Sequence, residues 1–148
     1  MAGQALPAMQ QALAERYQTS LAGVDWSEMN ATLFADAFDN GRSPEELRRS
    51  FEQSFATVVA YAQDRIIGTA RALSDGICNA YVVDVWTFTP YRRRGIARAM
   101  MKTLESRLEG QHIALFSSDA VAFYQSLGFS EEPVGLSKVV GQWLLRRA

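Results

Sequence analysis

Three consecutive arginines, Arg92, Arg93 and Arg94, stand directly before Gly95 in the stretch TFTPYRRRGIARAMM, residues 87–101. Beyond them Ile96, Met100, Leu104 and Leu108 recur every four residues with Ala97 and Met101 alongside, which predicts a helix over residues 95–109. The arginines therefore fall where the macrodipole is positive, and each cation there costs about 0.3–1 kcal/mol. An anion bound at the helix N-terminus would offset that cost, since the first-turn amides have no intrahelical partner and point at such a ligand. Gly95 and Ala97 leave room for close approach. The chemistry implied is phosphate or pyrophosphate binding. Two plainer uses compete with it: guanidiniums reaching into solvent, or pairing with the acidic first half. Residues 15–52 hold eight carboxylates against four arginines, whereas no acid lies between Asp84 and Glu105, where Arg98 and Lys102 join the triple arginine. Neither the Gly-x-Gly-x-x-Gly turn of dinucleotide enzymes nor the Gly-x-x-x-x-Gly-Lys-Ser/Thr loop is present.

The elements around this segment are legible from periodicity. Residues 16–21 read as a first strand. Asp25 precedes Trp26, Met29, Leu33, Phe34, Ala37 and Phe38, an apolar stripe at helical spacing that Asn40-Gly41 would end. Ser43-Pro44-Glu45-Glu46 has the form of a capping box and opens a second helix with Leu47 and Phe51 on its buried face. Residues 56–62 and 66–73 are β-rich runs around a turn at residues 63–65. Residues 80–88, AYVVDVWTF, are apolar on both faces, as in a central strand covered on both sides. A short buried strand at residues 113–116, a short helix at 120–127 stopped by Gly128, and a closing strand at 139–145 complete the order. Residues 1–15 are expected to be a tail or frayed helix, and residues 16–148 one α/β domain, a mixed sheet with about four helices packed on it.

With 148 residues, a single cysteine (Cys78) and a formal net charge of −1, the composition is that of an ordinary globular domain. One cysteine excludes an internal disulfide and a multi-cysteine zinc site. No stretch approaches the roughly 18 apolar residues of a membrane span, and the N-terminal residues lack a secretion-signal pattern. The expectation is a cytoplasmic protein with no metal, no membrane association and no nucleic-acid partner, because a lone basic patch on a slightly acidic whole is a poor nucleic-acid footprint.

Arg92-Arg93-Arg94-Gly95-Ile96-Ala97 resembles the Arg/Gln-x-x-Gly-x-Gly/Ala signature of the Gcn5-related N-acetyltransferases (GNAT family). Residues 120–129, AVAFYQSLGF, resemble the family's Ala-x-x-x-Tyr-x-x-x-Gly-Phe helix, and the element order is similar from about Arg16 onward. The resemblance implies that acetyl-coenzyme A is the co-substrate, its pyrophosphate cradled by the amides of Arg93 through Ala97, with Arg92 at the first signature position. The strand edge at Trp86, Thr87 and Phe88 would hold the pantetheine arm, and a bulge would splay this strand from residues 113–116. Tyr124 would protonate the departing thiolate; a half-buried tyrosine with its hydroxyl in a structural hydrogen bond is the alternative. Phe123 shares a helix face with Leu127 and is expected in the core, while Tyr124 lies about 100° round. A phenol suits that task, since its reference pKa lies above that of a thiol.

Asp84 stands mid-strand among Val82, Val83, Val85 and Trp86, eight residues before Arg92, where several family members carry a glutamate. It is the candidate to take the acceptor amine's proton, since apolar surroundings make a carboxylate a better base. Pairing with Arg71, or binding a cationic substrate without moving protons, is the alternative. Trp86 and Phe88 beside it would offer cation–π contact to an ammonium, although plain core packing is the commoner use of a tryptophan. Three departures from the family pattern stand out: Pro90 lies one residue closer to the glycine, Ala97 replaces the second glycine, and Ser117 stands where many members place a pantetheine-binding asparagine. The acceptor is a small-molecule or peptide amine, and a homodimer through the closing strand is a further expectation. A non-catalytic acetyl-coenzyme A sensor on the same scaffold is the competing function.

Overall fold

The computed structural model describes residues 16–145, so the expected N-terminal tail lies outside the described residues. They divide into two units, one ending at Leu115 and one beginning at Phe116. In the first unit the chain runs through strand β1 (Arg16–Gln18), helix α1 (Trp26–Ala35), helix α2 (Pro44–Glu52), strands β2 (Ala56–Ala62), β3 (Arg65–Ser74) and β4 (Asn79–Thr87), a single 3₁₀ turn (Thr89–Tyr91), helix α3 (Ile96–Glu105) and strand β5 (His112–Ala114). The sheet order is β1-β2-β3-β4-β5. The first four strands pair antiparallel and β5 pairs parallel to β4. A mixed five-stranded sheet is thus built as expected, with β1 and β5 shorter than the sequence implied. β5 is only partly buried, because it lies at the sheet edge.

Both first-half helices start at the residues whose chemistry demands it. Asp25 accepts the Glu28 amide at 3.0 Å. Ser43 and Glu46 exchange the two bonds of a capping box, at 3.1 and 2.9 Å, with Pro44 in the first turn. α1 stops earlier than its apolar stripe suggests. Ala37 turns left-handed (φ 57°), Phe38 N bonds Leu33 O and Ala37 N bonds Phe34 O, which is a Schellman ending. Phe34 and Phe38 are consequently exposed instead of buried. α3 also ends one turn early, yet the tight turns Arg107 N to Leu104 O and Leu108 N to Glu105 O keep Leu108 in the core.

One core lies between the sheet and the first two helices, where Met29, Leu33, Leu47 and Phe51 pack with Val59, Tyr61, Ile66 and Trp86. α3 covers β2, β3 and β4 with buried Ile96, Met100, Met101 and Leu104. Its close seating depends on Gly68: a Cβ there would stand 3.1 Å from Trp86 O and 3.2 Å from Met100 Cε.

In the second unit helix α4 (Val121–Ser126) follows Ala120. Phe123 is half-buried, not fully in a core. The expected closing strand at residues 139–145 does not form. Gly141 (φ 67°) and Leu144 (φ 49°) are left-handed, which interrupts extended backbone, and Val139, Val140, Trp143 and Leu145 are exposed. The dimer expected through that strand loses its structural element.

Candidate active site

α3 begins at Gly95, which adopts φ 80°, ψ 10° and makes no side-chain cap hydrogen bond. The first intrahelical bond joins Ala99 N to Gly95 O at 3.0 Å, so the amides of Ile96 and Ala97 precede the helical ladder. Arg93 is also left-handed (φ 64°). Alternation of left- and right-handed backbone around a helix start turns successive N–H groups into one concavity, the geometry that receives anions. A Cβ at Gly95 would meet no atom within 4 Å beyond its chain neighbours, so the space beside Gly95 itself is open. Arg93, Arg94 and Gly95 are exposed around it.

The arginines are not equivalent. Arg92 donates from Nε to Thr87 O at 3.1 Å, and its Nη2 lies 3.7 Å from Asp36 Oδ2. For Arg92 the expected alternative, pairing with the acidic first half, is therefore realised in part. Arg94 lies over the Tyr91 ring, 5.5 Å from its centroid.

β4 opens at the place a ligand would need. Its ladder with β5 covers only Asn79, Ala80 and Tyr81. Against β3, the register passes from Arg71↔Val83 to Thr69↔Trp86, so Asp84 and Val85 together oppose Ala70. This is a bulge, with Asp84 left-handed (φ 54°) and its carbonyl held by Thr69 Oγ1 at 2.9 Å. The extra residue bends β4 beyond the last β5 contact. Of the three residues expected to face a pantetheine arm, Phe88 gives its amide to Ile67 O (2.7 Å), on the β3 side. Alternation along the strand then turns Thr87 to the open side. Thr87 Oγ1 is buried and, among the described residues, lacks a hydrogen-bond partner.

Asp84 does not stand alone in apolar surroundings. Arg42 grips both its oxygens, Nη2 to Oδ1 at 2.9 Å and Nη1 to Oδ2 at 3.1 Å. Arg71 Nε adds a third contact to Oδ2 at 2.5 Å. Arg71 is itself held by Ser50 O and Ser54 Oγ at the end of α2. The pairing with Arg71 considered as an alternative is present, and Arg42 extends it. The aromatic neighbours are also engaged. The Trp86 indole donates to Asp36 Oδ2 (2.9 Å) and its ring is buried in the core, the plainer of its two readings, while Arg65 covers the Phe88 ring at 4.7 Å.

In the second unit Tyr124 meets the rings of Phe123 and Phe129 edge-on, with centroids 5.0 and 5.8 Å apart. Burial, reinforced by the Asp119 charge, raises its phenol above the ordinary value, so it holds its proton more firmly. Ser117 Oγ accepts the Ala120 amide at 3.0 Å and so fixes the approach to α4; its own hydroxyl proton is still available to donate.

Among the described residues no group of three or more His, Cys, Asp or Glu is placed to hold a metal ion, and no helix is long and apolar enough to cross a membrane. Cys78 is exposed in the β3–β4 connection and His112 is exposed on β5.

A mixed five-stranded sheet with a bulged β4 running into the turn before α3 is a fold shared with known proteins. The family profile of the acetyltransferase (GNAT) domain matches residues 11–139, and the chain belongs to that family. Serotonin N-acetyltransferase 2, chloroplastic, of Oryza sativa subsp. japonica is 34% identical over 125 residues, covering 77% of this chain and 60% of the rice protein. A proposed acetyltransferase of Deinococcus radiodurans R1 superposes with a TM-score of 0.73 at 25% identity, over 83% of this chain and 87% of that one. A GNAT-family acetyltransferase of Streptococcus pneumoniae TIGR4 gives 0.72 at 21% identity, over 86% and 98%. The chain spans about three fifths or less of the length of the first curated relatives it matches.

Proposed function

We propose that the chain transfers an acetyl group from acetyl-coenzyme A to a primary amine by direct attack. The observation that carries this reading is the start of α3 at left-handed Gly95, where the Ile96 and Ala97 amides lie outside the helical ladder beside exposed Arg93 and Arg94. The residues present fit the coenzyme. The Ile96 and Ala97 amides with Arg93 and Arg94 would hold the pyrophosphate. Thr87 would meet the pantetheine arm at the open side of β4, and Ser117 is the further donor that the family resemblance suggests. When bound, the coenzyme supplies the acetyl group as an activated thioester.

The chain's part is to position and to move protons. Holding amine and thioester together replaces a bimolecular encounter by an oriented one. Strand amides on the open side of β4 would stabilise charge developing on the thioester oxygen. Tyr124 is the proposed acid for the thiolate; its raised value keeps it protonated through the neutral range, with a weaker driving force for donation. For Asp84 we propose first a fixing role at the bulge, since its oxygens are bound by two guanidiniums. Acceptance of the amine's proton by Asp84 requires one of those contacts to open.

The acceptor is an amine whose identity a screen must supply. The rice relative's name puts arylalkylamines in the first row of the panel, with polyamines, amino sugars and lysine peptides beside them. Purified protein is incubated with acetyl-coenzyme A and each amine, and thiol release is followed. Amine-dependent release supports the reading. Coenzyme binding without release across the panel would favour the sensor, and absence of binding would end both.

A further inference from the structure

Asp36 sits where a carboxylate is unfavourable. It is the C-cap of α1, at the negative end of that helix's dipole, and its side chain is only 8% exposed. Arg92 is its mirror image, a cation just ahead of the positive start of α3. The two misplaced charges are brought together across 56 positions of chain that separate residues 36 and 92. Asp36 Oδ2 accepts the Trp86 indole N–H at 2.9 Å and the Thr89 amide at 3.1 Å, with Arg92 Nη2 at 3.7 Å. One oxygen thus ties the end of the first helix to the last buried residue of β4, to the turn that follows, and to the first arginine of the loop. Burial pushes this carboxyl upward, but the bonds from Thr89 and Trp86 and the Arg92 charge outweigh it and hold it below the ordinary value.

We propose that Asp36 is a positioning residue for the coenzyme-binding loop: by holding Trp86, Thr89 and Arg92 on one carboxylate it fixes the turn from which the α3 amides open. Arg92 completes the brace by bonding Thr87 O, so β4, the Thr89–Tyr91 turn and the loop move as one piece. Because the anchor belongs to α1, the same contact couples the first helical layer to coenzyme binding. The inference rests on the reading that this loop binds coenzyme A. It concerns a residue in no signature motif, whose atoms need not touch the ligand.

The test compares wild type, Asp36→Ala and Asp36→Asn, with coenzyme A titrated by calorimetry and the tryptophan indole N–H signals followed by NMR. Asp36→Ala is expected to weaken coenzyme A binding at least tenfold and to move the Trp86 indole proton upfield. In turnover assays it should raise KM for acetyl-coenzyme A while leaving kcat within about threefold, a split that general loss of stability would not produce. Asp36→Asn keeps an acceptor for Trp86 and Thr89 but loses the charge toward Arg92. It should weaken binding threefold to fivefold, and Arg92→Ala added to it should cost less than Arg92→Ala alone. If Asp36→Ala does not fold, Asp36→Asn decides. Wild type binding coenzyme A with folded variants binding equally well would overturn the inference and leave the acetyltransferase reading standing. Wild type failing to bind coenzyme A would overturn both.

Discussion

Arg71 and Asp84 meet across the β3–β4 pair, Nε to Oδ2 at 2.5 Å, at the bulge that interrupts regular pairing. Their side chains are 13% and 17% exposed, and Arg42, at 9%, closes the other side of the carboxylate. A single Asp84 substitution would leave two guanidiniums largely out of water without their shared anion, and breaking a buried pair in this way costs about 3 kcal/mol. Asp84→Asn is therefore expected to be destabilised by about that amount in urea unfolding. The combination with Arg42→Met should lose less than the sum of the single changes, because the partners act as a unit. The same variant addresses chemistry. If Asp84 only holds the bulge, folded Asp84→Asn shows a raised KM for acetyl-coenzyme A with kcat largely kept. If it accepts the amine proton, kcat itself falls at saturating co-substrate.

Gly95 offers a cleaner separation of stability from binding. Its left-handed backbone (φ 80°) penalises any residue with a Cβ by about 1–2 kcal/mol. A Cβ there meets no protein atom within 4 Å, so this penalty is conformational and not steric. Gly95→Ala is expected to lose about 1 kcal/mol of stability and to bind coenzyme A at least tenfold more weakly, since the new methyl would stand over the open amides. Denaturant unfolding and calorimetric titration measure the two effects. Unchanged coenzyme affinity in the folded variant would place the pyrophosphate elsewhere.

What the sequence carried and what it left dark divide along a physical line. Features built from neighbours a few residues apart were legible: the Ser43–Glu46 capping box, the Asp25 cap, the four-residue rhythm of Ile96, Met100 and Leu104, and the β-rich run of β2. Contacts made at long range were not. Asp36 looked like one more acid in an acidic half, and only folding shows its carboxylate under the Trp86 indole, 50 positions away. Arg42 reads as a loop residue until the bulge turns Asp84 toward it from 42 positions away. Val139-Val140 carries a real β signal, but a strand needs a partner edge and a run of extended residues, and Gly141 and Leu144 interrupt the run. At the site, the helix start and its free first-turn amides fall where the sequence placed them. The amide of Phe88, by contrast, points to β3 for a reason that only the strand register contains.

Asp36 also yields a signed pH prediction. Its folded value lies below the ordinary 3.8, held down by the bonds from Thr89 and Trp86 and by Arg92 against the upward push of burial. A depressed carboxylate stabilises the fold fully above the unfolded value and loses that contribution as pH falls through the folded one. Wild type should therefore exceed Asp36→Asn in stability at pH 6, and the gap should narrow below pH 3.8. Urea unfolding of both proteins at pH 6 and about pH 3 measures it, and a gap that widens toward acid would reverse the assignment.

Tyr124 carries the most direct test of the chemistry. Burial, then the nearby Asp119 charge, raises its phenol above the ordinary 10.0. Such a group keeps its proton through the neutral range and loses it only beyond the value of a free tyrosine, so any stability linked to it is intact below pH 10 and declines as pH rises through the folded value. An acid in that state can serve a thiolate leaving group throughout the working range, and a positioned acid is worth about 10²–10⁴-fold. Phenylalanine preserves the edge-on packing against Phe123 and Phe129 and removes only the hydroxyl. Tyr124→Phe should thus lower kcat at least tenfold, leave coenzyme A affinity within about twofold, and abolish an alkaline limb of kcat that in wild type lies above pH 10. Asp119→Asn removes one of the two upward influences and should move that limb toward lower pH while leaving neutral-pH turnover unchanged. Single-turnover measurements confine the comparison to the chemical step. If kcat of Tyr124→Phe matches wild type there, the leaving thiolate takes its proton from another source, and Tyr124 is a packing residue of the second unit.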